Sequence, residues 1–179
     1  MLKSLLLVFC MLYGTTTFGQ VTFSMYSDDD IILSQLGSEE LDFGMVLTNS
    51  SINQIELGDS DMVIIAIEGV EYYDVIVTID APTILELDSE NSIPFELSAA
   101  YANRGQNQVS DAIYFNGTIA RFPIKRRGDG PPSPPPVPGY NGYTPPTGTA
   151  YLFLYGNITV GEIDAGHYTG NVNITVEYD

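Results

Sequence analysis

The chain is short of cysteine, histidine and positive charge, and each shortage removes a class of chemistry. Cys10 is its only cysteine and lies in an apolar N-terminal stretch. If that stretch is removed on export, thiol catalysis and a cysteine-rich zinc site go with it, and no disulfide staples the fold. His167 is the only histidine, which excludes a multi-histidine metal site. A serine triad would need that same residue, and no Gly-x-Ser-x-Gly elbow is present. His167 reads as a turn residue beside Tyr168. Six Lys and Arg face 23 Asp and Glu, a net charge of −17, so clustered cations for phosphate neutralisation are missing and nucleic acid is not an expected partner. A bilayer-spanning apolar run is missing too, because Leu5 to Leu12 is too short. No long segment has helical apolar periodicity.

What is present begins with a secretory signal over residues 1–19. Lys3 supplies the positive end, Leu5 to Leu12 the apolar stretch, and Thr15 to Gly19 the small residues for cleavage. Export to the periplasm and then to the cell surface or beyond is the expected route. Removal of the signal leaves about 160 residues, enough for one domain burying roughly 70% of its unfolded surface. Without Lys3, five cations remain against 23 acids, a net charge of −18 that reads as solubility outside the cell.

β-Branched and aromatic runs recur between turn signals such as Gly58-Asp59, Glu68-Gly69 and Gly161-Glu162. They predict an all-β chain with strands near Val21 to Tyr26, Ile31 to Leu36, Leu41 to Leu47, Ile52 to Leu57, Met62 to Ile67, Asp74 to Asp80, Ile93 to Tyr101, Ala112 to Ala120, Ala150 to Val160 and Gly170 to Tyr178. The short spacing favours a two-sheet sandwich over any α/β arrangement. Residues 20–30 form an N-terminal extension and 31–179 the sandwich domain. One stretch, 128–148, breaks the rhythm: it holds eight of the 11 prolines and is expected to be an exposed loop with polyproline II character. Tyr140 and Tyr143 on that stiff arm are candidate partner contacts.

No metal or other cofactor is expected. Asp28-Asp29-Asp30 and Asp59-Ser60-Asp61 offer hard oxygen ligands for calcium, yet neither continues into the spaced loop that surrounds the ion, so both read as solvated turns. A carboxylate pair for hydrolysis has no local spacing to support it, and the chain is expected not to be an enzyme. Arg121, Lys125, Arg126 and Arg127 gather four of the five remaining cations, either as a solvated strand end or as a patch for an acidic face of a neighbouring copy.

The ends are more specific. From Asn171, Val172, Ile174, Val176 and Tyr178 alternate with polar residues, the period of a strand with one buried face, and Asp179 follows directly. Just upstream, Asp164, Gly166 and Tyr168 have the spacing of the corner entering strand F of immunoglobulin-like sandwiches, where the tyrosine hydroxyl ties back to nearby backbone. A strand G would come next, and no residues follow to make it. An open edge beside the last strand is therefore expected, and such an edge invites a partner strand. At the other end Val21, Phe23 and Met25 alternate with Thr22, Ser24 and Tyr26, and present an apolar row to a groove.

Leu41-Asp-Phe-Gly44 and Gly166-His-Tyr-Thr-Gly-Asn-Val-Asn-Ile-Thr-Val-Glu-Tyr178 resemble the small exported subunits of the archaic chaperone–usher pilin and spore-coat-protein-U type, and their uncharacterised fimbria-like bacterial relatives. The resemblance implies an immunoglobulin-like sandwich lacking strand G. Its groove would be filled first by a periplasmic chaperone, acting with an outer-membrane usher, and then by the N-terminal extension of a sister subunit. Carried onto this sequence, Val21, Phe23 and Met25 form the donor, and Val172, Ile174, Val176 and Tyr178 the acceptor edge. The chain departs from that pattern in lacking a disulfide and in carrying the proline-rich loop. The implied function is a structural or adhesive subunit joined by donor-strand exchange. The alternative is a stand-alone surface- or glycan-binding module whose own Val21 to Tyr26 closes the groove.

Overall fold

The computed structural model describes residues 16–47, 51–126 and 145–179. Among these the protein is all-β apart from one 3-10 turn at Val109–Asp111. The strands are β1 (Thr16–Ser27), β2 (Ile32–Gly37), β3 (Leu41–Leu47), β4 (Ser51–Ile55), β5 (Val63–Val70) and β6 (Asp74–Asp80). They continue with β7 (Ile84–Glu86), β8 (Ser92–Ala102), β9 (Ile113–Tyr114), β10 (Ile119–Pro123), β11 (Thr147–Val160) and β12 (His167–Tyr178).

These strands form one curled sheet of 12 strands with two limbs. One limb runs β3–β1–β12–β6–β10, with β7 beside β12 in line with β6. The other runs β9–β8–β11–β5–β2, with β4 following β5 along the same side of β11. Pairing of β7 with β8 joins the limbs. Every pair is antiparallel except β1 with β12.

Period-2 burial drives the closure. Val63, Ile65 and Ile67 of β5, Val75, Val77 and Ile79 of β6, and Val172, Ile174 and Val176 of β12 are buried while their neighbours face outward. The limbs meet through these faces: Tyr101 of β8 stacks on Phe122 of β10 at 4.0 Å between ring centroids, and Phe43 of β3 meets Phe95 of β8 edge-on at 6.2 Å. Gly156 of β11 lies so close to the carbonyl of Glu96 that no side chain fits there.

The predicted run Ala112 to Ala120 is broken in the structure. Gly117 adopts φ +106° and turns the chain, which leaves β9 as two residues and moves β10 to Ile119–Pro123. Three-residue β7 was not expected, since Pro82 and Asp88 bracket too short a run to show a period. The expected 128–148 loop is shorter at its C-terminal end, because β11 begins at Thr147 and the Pro146 carbonyl accepts the Glu71 N–H at 2.9 Å. Tyr140 and Tyr143 lie outside the described residues.

Candidate functional site: the β12 edge and its occupant

β12 opens at His167, which is therefore a strand residue and not the turn residue expected; Tyr168 next to it is fully buried, and its hydroxyl donates to the Asp164 carbonyl at 3.0 Å. Burial, and the Asp164 carboxylate nearby, push the phenol pKa above its usual value, so the hydroxyl stays a donor. Gly166 lies close before it: a Cβ there would be 2.5 Å from a methyl carbon of Leu87, whose side chain would have to shift. His167 is exposed, its ring 6.3 Å from that of Phe18. At the far end the Tyr178 hydroxyl accepts the Val70 N–H at 2.8 Å, and its ring packs edge-on to Tyr73.

One side of β12 carries β6, from Asn173 opposite Asp80 to Tyr178 opposite Val75. The other side, expected to be open, is closed by the same chain: β1 lies parallel to it, from Phe18 opposite His167 to Ser27 opposite Val176. The turn after β1 makes this possible. Asp28 donates its N–H to the Val176 carbonyl, its carbonyl accepts the Ile31 N–H, and its carboxylate accepts the Tyr178 N–H at 3.1 Å. The chain thus leaves β1 against β12 and crosses at once to pair β2 with β5.

Val21 is fully buried by this arrangement, and Phe23 and Met25 are half-buried against the core. Their burial contributes roughly 3 to 6 kcal/mol before ordering costs. On the outer face Thr22 and Ser24 donate to Asn171 Oδ1, each at 3.2 Å. The first third of β1 fits less well. Thr17 is completely buried, and its hydroxyl is the one buried side-chain polar atom without a partner among the described residues. Thr16–Gly19 is also the stretch read from sequence as the end of the signal, so the strand runs across the expected cleavage point.

Leu41-Asp-Phe-Gly44 shapes the far side of β1. Leu41 and Phe43 are buried, while Gly44 takes φ +65° with its N–H held by Asp42 Oδ1 at 2.8 Å. The register of β1 against β3 shifts there, with Phe18 opposite Met45 and Gln20 opposite Asp42, a β-bulge that requires a left-handed residue.

Several of the remaining candidates have local partners. Asp59 accepts the Glu56 N–H at 2.7 Å, and no group of three metal-ligating side chains occurs among the described residues. Two of the clustered cations are paired: Arg121 with Asp74 and Asp179, and Lys125 with Glu71 at 2.7 Å, which raises the Lys125 pKa. Arg127 lies outside the described residues.

Sequence reasoning missed a cleft of about 280 Å³ between β8, the end of β6 and the turn 114–118. Tyr114 stands at its mouth 66% exposed, and half-buried Tyr155 has its phenol pKa pushed up by burial and by Tyr114. Asn116-Gly117 was the local signal for the turn, but the wall comes from strands far apart in sequence. No protein-family model matches the chain and no curated protein sequence matches it, so the functional reading rests on these residues.

Proposed function

We propose that this chain is an exported structural or adhesive subunit of a fimbria-like surface assembly, joined by exchange of β1. The carrying observation is that the β12 edge is filled by the N-terminal segment itself, the one strand laid parallel to its neighbour among the described residues. The order β2–β5–β11–β8 opposite β1–β12–β6 supports an immunoglobulin-like sandwich with β1 standing where strand G would be.

Signal cleavage after Gly19 would remove the unpartnered Thr17 hydroxyl. It would also leave the His167–Tyr168 end of β12, and Met45 of β3, without their β1 neighbours. Gln20–Ser27 would remain as a shorter occupant that a longer or better-fitting strand displaces. The resemblance supplies the successive occupants: a periplasmic chaperone, delivery to an outer-membrane usher, then the extension of a sister subunit.

Size analysis of the processed protein, with and without Gln20–Ser27, tests this. The full form is expected to form multimers, and the truncated form to stay monomeric and bind a peptide spanning those residues. Equal multimerisation of both forms would remove β1 from the role. A full form that remains monomeric through partial unfolding and refolding would favour the second reading, a stand-alone module permanently closed by its own β1, for which the pairing of Gln20–Ser27 with Thr169–Val176 in one chain is the supporting observation.

A further inference from the structure

We propose that the cleft beside β8 binds a neutral saccharide. This is independent of β1 exchange, since the cleft lies on the β8 side of the molecule and serves an assembled subunit or a stand-alone module alike.

The cleft exists because the ladder along β8 is interrupted. On the side away from β11, β7 pairs with β8 up to Pro94, with Phe95 N–H donating to the Thr83 carbonyl at 3.0 Å, and β9 resumes at Ala100. Between them, no strand covers Glu96 to Ala99 on that side among the described residues. Successive residues of a strand direct their main-chain groups to opposite sides. The Glu96 carbonyl is turned toward Gly156 of β11, so Leu97 directs its N–H and C=O into the cleft. A donor and an acceptor of the main chain are thereby offered side by side at fixed spacing.

The side chains around this gap match the two characters of a sugar, a C–H face and a rim of hydroxyls. Tyr114 offers an exposed ring for the face. For the rim, the Glu96 carboxylate, held by Asn157 Nδ2 at 3.3 Å, accepts, and the Asn116 amide both donates and accepts. No Lys or Arg lines the cleft, and Glu96 does. On a chain of net charge −17, phosphate, sulfate or carboxylate ligands are therefore disfavoured. An added peptide strand is disfavoured by length, since β7 and β9 cap both ends of the gap. The volume, near the lower end for small-molecule sites, suits a ligand of one or two rings.

The test is binding of the processed protein to an array of neutral oligosaccharides built on glucose, galactose, mannose and N-acetylglucosamine, beside sulfated and sialylated counterparts. Binding to at least one neutral oligosaccharide is expected, with a loss of about tenfold or more in Tyr114→Ala and in Glu96→Gln. Both residues are exposed, so urea midpoints should stay at the parent value and separate lost recognition from lost folding. Absence of neutral-sugar binding at millimolar concentration overturns the proposal. So does a preference for the anionic counterparts, or binding that both variants retain in full.

Discussion

Tyr168→Phe isolates one hydrogen bond at the entrance to β12. The ring is fully buried and remains in place, so the substitution removes only the hydroxyl that reaches the Asp164 carbonyl at 3.0 Å. The partner sits on an exposed residue and water takes over part of the bond, which holds the cost to about 1 to 2 kcal/mol, below that of a fully stranded buried group. With m near 2 kcal/mol/M, the urea midpoint should fall by roughly 0.5 to 1 M. The melting temperature of a domain this size should fall by about 2 to 8 °C. Tyr168→Ala, which also empties the ring's site, should cost about 3 to 5 kcal/mol. The assay is urea unfolding of the processed protein followed by circular dichroism, with m unchanged between parent and Phe variant. A Phe variant with the parent's midpoint would show that Asp164–Tyr168 is an ordinary turn, and would remove the corner from the account of how β12 is placed.

Gly156→Ala, in the middle of β11, should destabilise by about 2 kcal/mol or more, because the new methyl meets the Glu96 carbonyl oxygen and the Cα of Leu97 at 3.3 Å, backbone that no rotamer change relieves; a neutral result in thermal melting would mean that β8 and β11 separate easily. Alkaline titration should lower stability from about pH 10 upward, since Tyr155, Tyr168 and Lys125 all have raised folded pKa values. Each favours its protonated form in the folded state, so its contribution is complete below the unfolded value and lost as pH rises through the folded one. Urea midpoints measured between pH 8 and 11.5 check this, and Tyr168→Phe should flatten part of the decline; a curve unaffected by the substitution would contradict the assignment.

Much of the strand content was legible in the sequence because alternation and turn chemistry are local. Leu41 to Leu47 and Asp74 to Asp80 coincide with β3 and β6, and the alternation from Val172 to Tyr178 marks the buried face of β12. The acidic composition, the lack of cysteine in 16–179 and the single histidine are likewise properties of the chain alone. The occupant of the β12 edge was not legible. An apolar row such as Val21, Phe23 and Met25 specifies a groove to fill but neither whose groove nor which direction along it, and here the Asp28–Ile31 turn decides both by returning the chain beside Val176. The β8 cleft was hidden for a similar reason: an interruption in a ladder is a relation among β7, β8 and β9, and no window of sequence contains all three with their pairing. Local periodicity determined which residues face inward, whereas the closure of one edge and the opening of another arose only when distant strands competed for the same hydrogen-bonding partners.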